Sequence, residues 1–218
     1  MKGFVDYGPL MAIDVAAGDE VSLRRGAYIA SSHVMDFETR RDSKGTKSWM
    51  RLFAGGNVTR VIWRAREATR LTASLDFIGT SLGIAVGEHS VQVAPKLFLG
   101  YRGAVHQALG RAAKKEFWLM SKLSGEGEVF LHVPGGYSVM EIAGSAFVDT
   151  DRVAAVIGDL EAVGVMRGAK NILKSGELDV VQLEGSGYAV IAHNSLEDVE
   201  NEAASWLSFI PGLDSFTG

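Results

Sequence analysis

The sequence predicts an all-β protein made of internally repeated antiparallel sandwich or barrel units, closed by a C-terminal α-helix. Three observations predict this. Glycine is abundant and dispersed, with 26 Gly against 4 Pro. Short apolar, β-branched runs lie between the glycines at 21–23, 58–63, 91–93, 128–133, 180–183 and 188–192, and several alternate with a period of two. Finally, two glycine-bearing elements recur in phase along the chain.

The first element is a Gly-acid or Gly-Ser turn followed by a strand. Its copies start at Gly18, Gly87 and, more loosely, Gly144. The second is an apolar residue, a tight glycine pair and a strand, at Phe53–Val58, Leu123–Val129 and Leu183–Tyr188. Gly18 to Gly87 is 69 residues and Gly55 to Gly125 is 70; Gly87 to Gly144 is 57 and Gly125 to Gly185 is 60. This shared step predicts three units, near 8–69, 77–136 and 137–195, within one β domain over 1–195. Each unit is too short to close a core alone and shares it with its neighbour.

Gly125-Glu-Gly127 and Gly185-Ser-Gly187 are predicted to be hairpin turns, because tight connections need the positive φ that glycine adopts cheaply. Neither continues as a dinucleotide fingerprint, and no Gly-Lys-Ser/Thr phosphate loop occurs. Residues 103–116 have helix-leaning composition around Gly110 and read as a weak helix or a long loop. After 195 the pattern becomes helical. Ser195 caps the start, and Leu196, Val199, Ala203, Trp206 and Ile210 fall on one stripe until Pro211-Gly212 stops it. This 196–218 segment carries five acids and no Lys or Arg. Trp206 and Ile210 on the stripe, with Leu207 and Phe209 off it, are candidate oligomer contacts.

Composition narrows the chemistry. The net charge is −4 at 218 residues, so the chain is not a globally basic nucleic-acid binder. The absence of cysteine removes thiol catalysis, disulfides and thiolate metal sites. The first residues do not resemble a secretory signal, and no run reaches the ~20 apolar residues of a spanning helix. Cytoplasm is the expected address.

In order and spacing, five segments resemble the mitochondrial biogenesis family, also called altered inheritance of mitochondria protein 24. They are Gly18-Asp-Glu-Val with Arg25-Gly-Ala-Tyr28, Arg51–Asn57, Trp118–Leu131, Val148–Ala155 and Gln182–Gly187. The resemblance covers about residues 10–195. It implies a fold like that of the tryptophan RNA-binding attenuation protein and bacterial or archaeal relatives of unassigned function. It also implies a mitochondrial relative that supports inner-membrane organisation. It carries over no catalytic residues.

The five histidines (His33, His89, His106, His132 and His193) have no helical metal-binding spacing. His132 and His193 hold matching places after Gly125 and Gly185; they read as edge-strand residues rather than as a cupin-type metal pair, for want of a third ligand. Ser186 lacks a strand-to-helix elbow, and Asp149 and Asp151 read as turn caps. No catalytic residue, cofactor or metal is predicted.

The charge map is the strongest functional signal. Residues 24–70 hold 11 of the 22 basic residues and only four acids, so this stretch is +7 and the remainder −11. Arg40, Arg41, Lys44, Lys47, Arg60, Arg64 and Arg66 are the candidate contacts for a partner, an anionic membrane surface or nucleic acid, with Trp49, Phe53 or Trp63 available to stack on bases. The expected function is a non-enzymatic homo-oligomeric β scaffold that binds a macromolecular partner. The rival readings are an RNA-binding module and a cupin-like small-molecule or metal site.

Overall fold

The computed structural model describes residues 3–41, 59–111, 119–167 and 179–195. They form fourteen strands: β1 (Phe4–Gly8), β2 (Met11–Val15), β3 (Glu20–Arg24), β4 (Tyr28–Ser31), β5 (Met35–Arg41), β6 (Thr59–Ala65), β7 (Thr69–Ala73), β8 (Gly79–Val86), β9 (Val91–Val93), β10 (Phe98–Arg111), β11 (Leu119–Pro134), β12 (Tyr137–Asp149), β13 (Val153–Arg167) and β14 (Asp179–Ala192). A single 3-10 turn, Thr150–Arg152, separates β12 from β13. The predicted all-β class therefore holds. The C-terminal helix, with Trp206, Leu207, Phe209 and Ile210, lies outside the described residues.

Period-two alternation makes the short strands one-sided. Met11, Ile13 and Val15 of β2 and Thr69, Leu71 and Ala73 of β7 all point inward. With β4 these strands form a three-stranded sheet, ordered β2-β7-β4. It covers one apolar cluster, which also takes Val21 and Leu23 from β3, Met35 from β5, Ala65 from β6, Leu99 from β10 and Phe130 from β11.

The long strands belong to an eleven-stranded sheet. Its path runs β12-β14-β13-β9-β11-β10-β3-β6-β5, and β8 and β1 branch from β11. Every pairing is antiparallel. The larger apolar cluster lies among β8 to β14, where Leu82, Val91, Leu123, Leu131, Val153, Val181 and Val190 are all sealed from water.

Two local expectations need correction. Residues 103–111 are strand, not helix or loop; they continue β10, which pairs with β11 from Phe98↔Leu131 to Arg111↔Leu119. Cross-strand pairing overrides the weak helical composition. The glycine pairs of 125–127 and 185–187 do not turn the chain either. They lie in the middle of β11 and β14. A Cβ at Gly125 would sit 2.1 Å from the Ala104 carbonyl oxygen, and one at Gly185 would sit 2.0 Å from that of Asp159. Their positive φ values, +106° and +125°, let one long strand bend across its neighbour at close range. Gly144, expected in a turn, likewise lies inside β12, opposite Gly185.

Candidate functional site

One face of β3, β6 and β5 gathers Arg24, Arg40, Arg60 and Arg64. Register places them in cross-strand rows. Glu20, Arg64 and Asp36 form one row; Ser22, Ile62 and Glu38 the next; Arg24, Arg60 and Arg40 the third. Alternation puts all nine on one face.

The first row is internally compensated. Arg64 Nε donates to Glu20 Oε1 at 2.9 Å, and the two form an ion pair. Asp36 accepts from Arg66, whose Nε donates at 2.9 Å. The hydrogen bond from Arg66 holds the Asp36 carboxyl below its ordinary range, and that from Arg64 to Glu20 holds the Arg64 guanidinium above its own. Elsewhere Arg40 pairs with Glu38, and Arg70 lies 3.8 Å from Asp14.

The third row differs. Arg60 is 5% exposed, with its guanidinium 5.2 Å from the ring centre of Phe98 and 4.9 Å from that of Tyr101. Arg24 Nη1 donates to the Lys96 carbonyl at 2.8 Å, and burial pushes its guanidinium below its ordinary value. Trp63 is on the opposite face, stacked on Tyr28 at 4.0 Å and touched by Phe37.

The predicted contact residues thus divide. Arg40, Arg60 and Arg64 share one sheet face, and Arg66 follows β6 and reaches Asp36. Arg41 ends β5. Lys44, Lys47, Trp49 and Phe53 lie outside the described residues. Arg24 belongs to the basic 24–70 stretch but not to the predicted contacts, and Lys96, Phe98 and Tyr101 carry no sequence signal that marks them for a site. Only strand register brings them to Arg60, and no local motif encodes register.

A cleft of about 610 Å³ opens between β2–β3 and β10–β11, lined by Asp14, Asp19, Glu20, Arg102 and Glu128. Arg102 Nη2 lies 2.7 Å from Glu128 Oε2, and the Tyr7 hydroxyl donates to Glu128 Oε1 at 2.9 Å. Burial, helped by that carboxylate, pushes the Tyr7 hydroxyl up to about 12. Glu20 and Glu128 are thus committed to neighbours within the fold.

The histidine reading is corrected as well. His132 is not an edge residue but is fully buried, because β11 is flanked by β10 on one side and β8 on the other. Its Nδ1 is 2.9 Å from Ser81 Oγ and its Nε2 is 3.0 Å from the Phe77 carbonyl. Nε2–H donates to that carbonyl, so Nδ1 accepts from Ser81. Burial pushes its ionisation below the usual histidine range. His193 instead meets Ser138 Oγ at 2.9 Å, so each histidine has its own partner. Among the described residues no three His, Asp or Glu side chains are grouped to hold a metal ion. Ser186 lies within β14, facing Ala143 and Asp159, not at a hairpin tip. Asp149 caps the 3-10 turn by accepting from the Asp151 backbone N–H, in line with the turn-cap expectation.

Fold and site together describe a β-sheet protein with an arginine-rich face and no assembled catalytic group among the described residues. The family model described as mitochondrial biogenesis AIM24 matches residues 6–193, so the chain belongs to that family. Protein SPYM3_0169 from Streptococcus pyogenes, known from its crystal structure, has a similar fold. Its TM-score is 0.71 at 16% sequence identity, over 93% of this chain and 98% of that one. No curated protein matches the chain.

Proposed function

We propose that this protein is a non-enzymatic, homo-oligomeric β scaffold that presents a surface to a macromolecular partner. The observation that carries the proposal is the open ends of the large sheet. Its path starts at β12 and stops at β5, and among the described residues each of these strands is paired on one side only. An unpaired strand edge displays free N–H and C=O groups and recruits another strand unless it is blocked. β12 is thirteen residues long with only Glu141 and Asp149 charged, and Phe147 on it is 58% exposed. Phe37 on β5 is 68% exposed. On β12 the charge is too sparse to discourage pairing.

Three units near 8–69, 77–136 and 137–195 fit the same reading. The pairs β5·β6, β10·β11 and β13·β14 are each consecutive antiparallel strands. A peripheral membrane contact and a cytoplasmic address belong to this proposal too. Among the described residues no helix is long and apolar enough to cross a bilayer.

Sedimentation velocity at micromolar concentration tests the scaffold. More than one subunit is expected, and Phe147→Lys with Met140→Lys on β12 should shift the protein toward monomer. A monomer at every concentration tried would overturn the reading.

The RNA-binding alternative is weakened by the ion pairs. Arg64, Arg66 and Arg40 already face Glu20, Asp36 and Glu38, so a polyanion must displace carboxylates to reach them. Salt-dependent retention of single-stranded RNA, abolished when Arg60, Arg64 and Arg66 are changed to Ala, would restore it.

A further inference from the structure

We infer that β12 pairs with β12 of a second copy of this chain, antiparallel and about a two-fold axis through Gly144. The inference rests on the scaffold reading and names its contact: which strand meets which, and in what register.

Glycine geometry leads to it. Inside the long strands β10 to β14, six glycines have positive φ: Gly103, Gly125, Gly127, Gly144, Gly158 and Gly185. At five of them a Cβ would lie 2.0–2.9 Å from a carbonyl oxygen of the adjacent strand. Each of those oxygens belongs to the residue just before the glycine's cross-strand partner, as Ala104 precedes Val105 opposite Gly125. Glycine inside a strand weakens it unless another backbone comes close, and at these five it does.

Gly144 is the exception. Its φ is +112°, yet among the described residues a Cβ there has nothing within 4 Å. Its partner on β14 is Gly185, so the corresponding oxygen on that side is that of Glu184, which it does not meet. The conformation that admits a neighbouring backbone is thus turned away from β14, toward the side of β12 that no described strand covers.

The strand that fits there is β12 itself. Glycine faces glycine in each pairing among the long strands: Gly103↔Gly127, Gly158↔Gly187 and Gly144↔Gly185. A two-fold axis through Gly144 sets this residue against its own copy and repeats the arrangement, as a self-complementary contact must. β5, at the other end of the sheet path, offers no such match. It has seven residues, no glycine and four charges, Asp36, Glu38, Arg40 and Arg41, and charged edges resist pairing.

The side chains suit the same axis. It places Met140 opposite Val148, Glu141 opposite Phe147 and Val139 opposite Asp149, so no acid faces an acid. An axis one residue further on, at Ser145, would set Glu141 against Asp149 twice. Like charges directly opposite one another destabilise a sheet.

The chain has no cysteine, so introduced thiols report the register directly. Glu141→Cys and Phe147→Cys, both at exposed positions, are mixed as full-length proteins under reducing conditions, left to exchange subunits and then oxidised. Facing residues of an antiparallel pair have Cα atoms about 4.5–5.5 Å apart, which a disulfide spans. The mixture should become a disulfide-linked dimer. Either variant alone should not, because its own copy would lie six residues out of register, about 20 Å away. Glu141→Cys with Ser145→Cys, the pair that an axis at Ala143 would join, should link more slowly. Gly144→Ala should remain folded but sediment as a smaller species than the wild type, since its methyl would meet the partner's backbone. Diluted until the wild type is monomeric too, it should lose only backbone strain. A wild type that is monomeric throughout would overturn the scaffold reading and this contact with it. An oligomer whose Glu141→Cys and Phe147→Cys mixture stays unlinked, whose Ser145→Cys mixture links as fast, or whose Gly144→Ala form still assembles fully would overturn the contact alone.

Discussion

The two ends of the large sheet are stabilised differently. On the β3–β6–β5 side the strands are short and one face is a lattice of charges, Arg64 with Glu20, Arg66 with Asp36 and Arg40 with Glu38. On the β10 to β14 side the strands run 13 to 16 residues and bend at glycines, and apolar side chains fill the space between them. The short strands hold their alignment by side-chain pairing across a solvated face. The long strands depend on backbone shape, because a bend in one must match the bend in the next. Damage should therefore be local and mild in the first region, global and severe in the second.

The strongest break is Gly185→Ala. The added methyl would meet the Asp159 carbonyl oxygen at 2.0 Å and must also accept a φ of +125°. Strain and overpacking together should cost about 4 kcal/mol, seen as a collapse of the urea midpoint or as insoluble protein. Gly144→Ala, on the neighbouring strand at a φ of +112° with open space around its Cβ, sharpens the point. It bears only the backbone strain, about 1–2 kcal/mol. Equal losses in the two variants would refute close backbone approach as the reason for the glycines.

Phe130→Ala should cost about 3–5 kcal/mol in the same measurement, since the ring is fully buried. A smaller loss would mean that the smaller apolar cluster, which holds Phe130, can close around the gap.

His132 makes the long-strand region sensitive to acid. Burial lowers its ionisation in the folded state, so the unfolded chain, titrating near pH 6.5, takes up the proton first. Its neutral form supports the fold fully above about pH 6.5, and that support fades as pH falls toward the lower folded value. The wild-type urea midpoint should drop as pH falls below about 6.5, and His132→Gln, less stable throughout, should show a flatter profile there. Parallel profiles would assign the acid sensitivity to other groups.

The smallest effect belongs to the charged face. Arg66→Gln breaks an exposed pair with Asp36, and such pairs contribute little. The urea midpoint should not move. A clear drop would show that the charge lattice holds the short strands more firmly than the comparison implies.

Much of the fold is legible in the sequence. Alternation alone marks Met11, Ile13 and Val15 as one buried face, and Thr69, Leu71 and Ala73 as another. The glycine pairs are legible as positions of positive φ but not as bends, because a hairpin tip and a mid-strand kink make the same local demand on the chain. What separates them is the length of paired strand on either side, which is a tertiary property. Residues 103–111 mislead for a related reason: propensity is decided locally, whereas the β11 partner is contributed from the far side of the hairpin. The arginine surplus over 24–70 is plain as composition. That Arg64 is compensated and Arg60 is recessed against Phe98 depends on register, and no run of residues announces it.

The place of β11 has a further consequence. Phe130 on this strand enters the smaller apolar cluster, while its neighbours Val129 and Leu131 enter the larger one. One polypeptide segment is thus the shared wall of two interiors. Neither interior can be excised as an autonomous fragment, and heat or urea should melt both in a single step rather than one after the other.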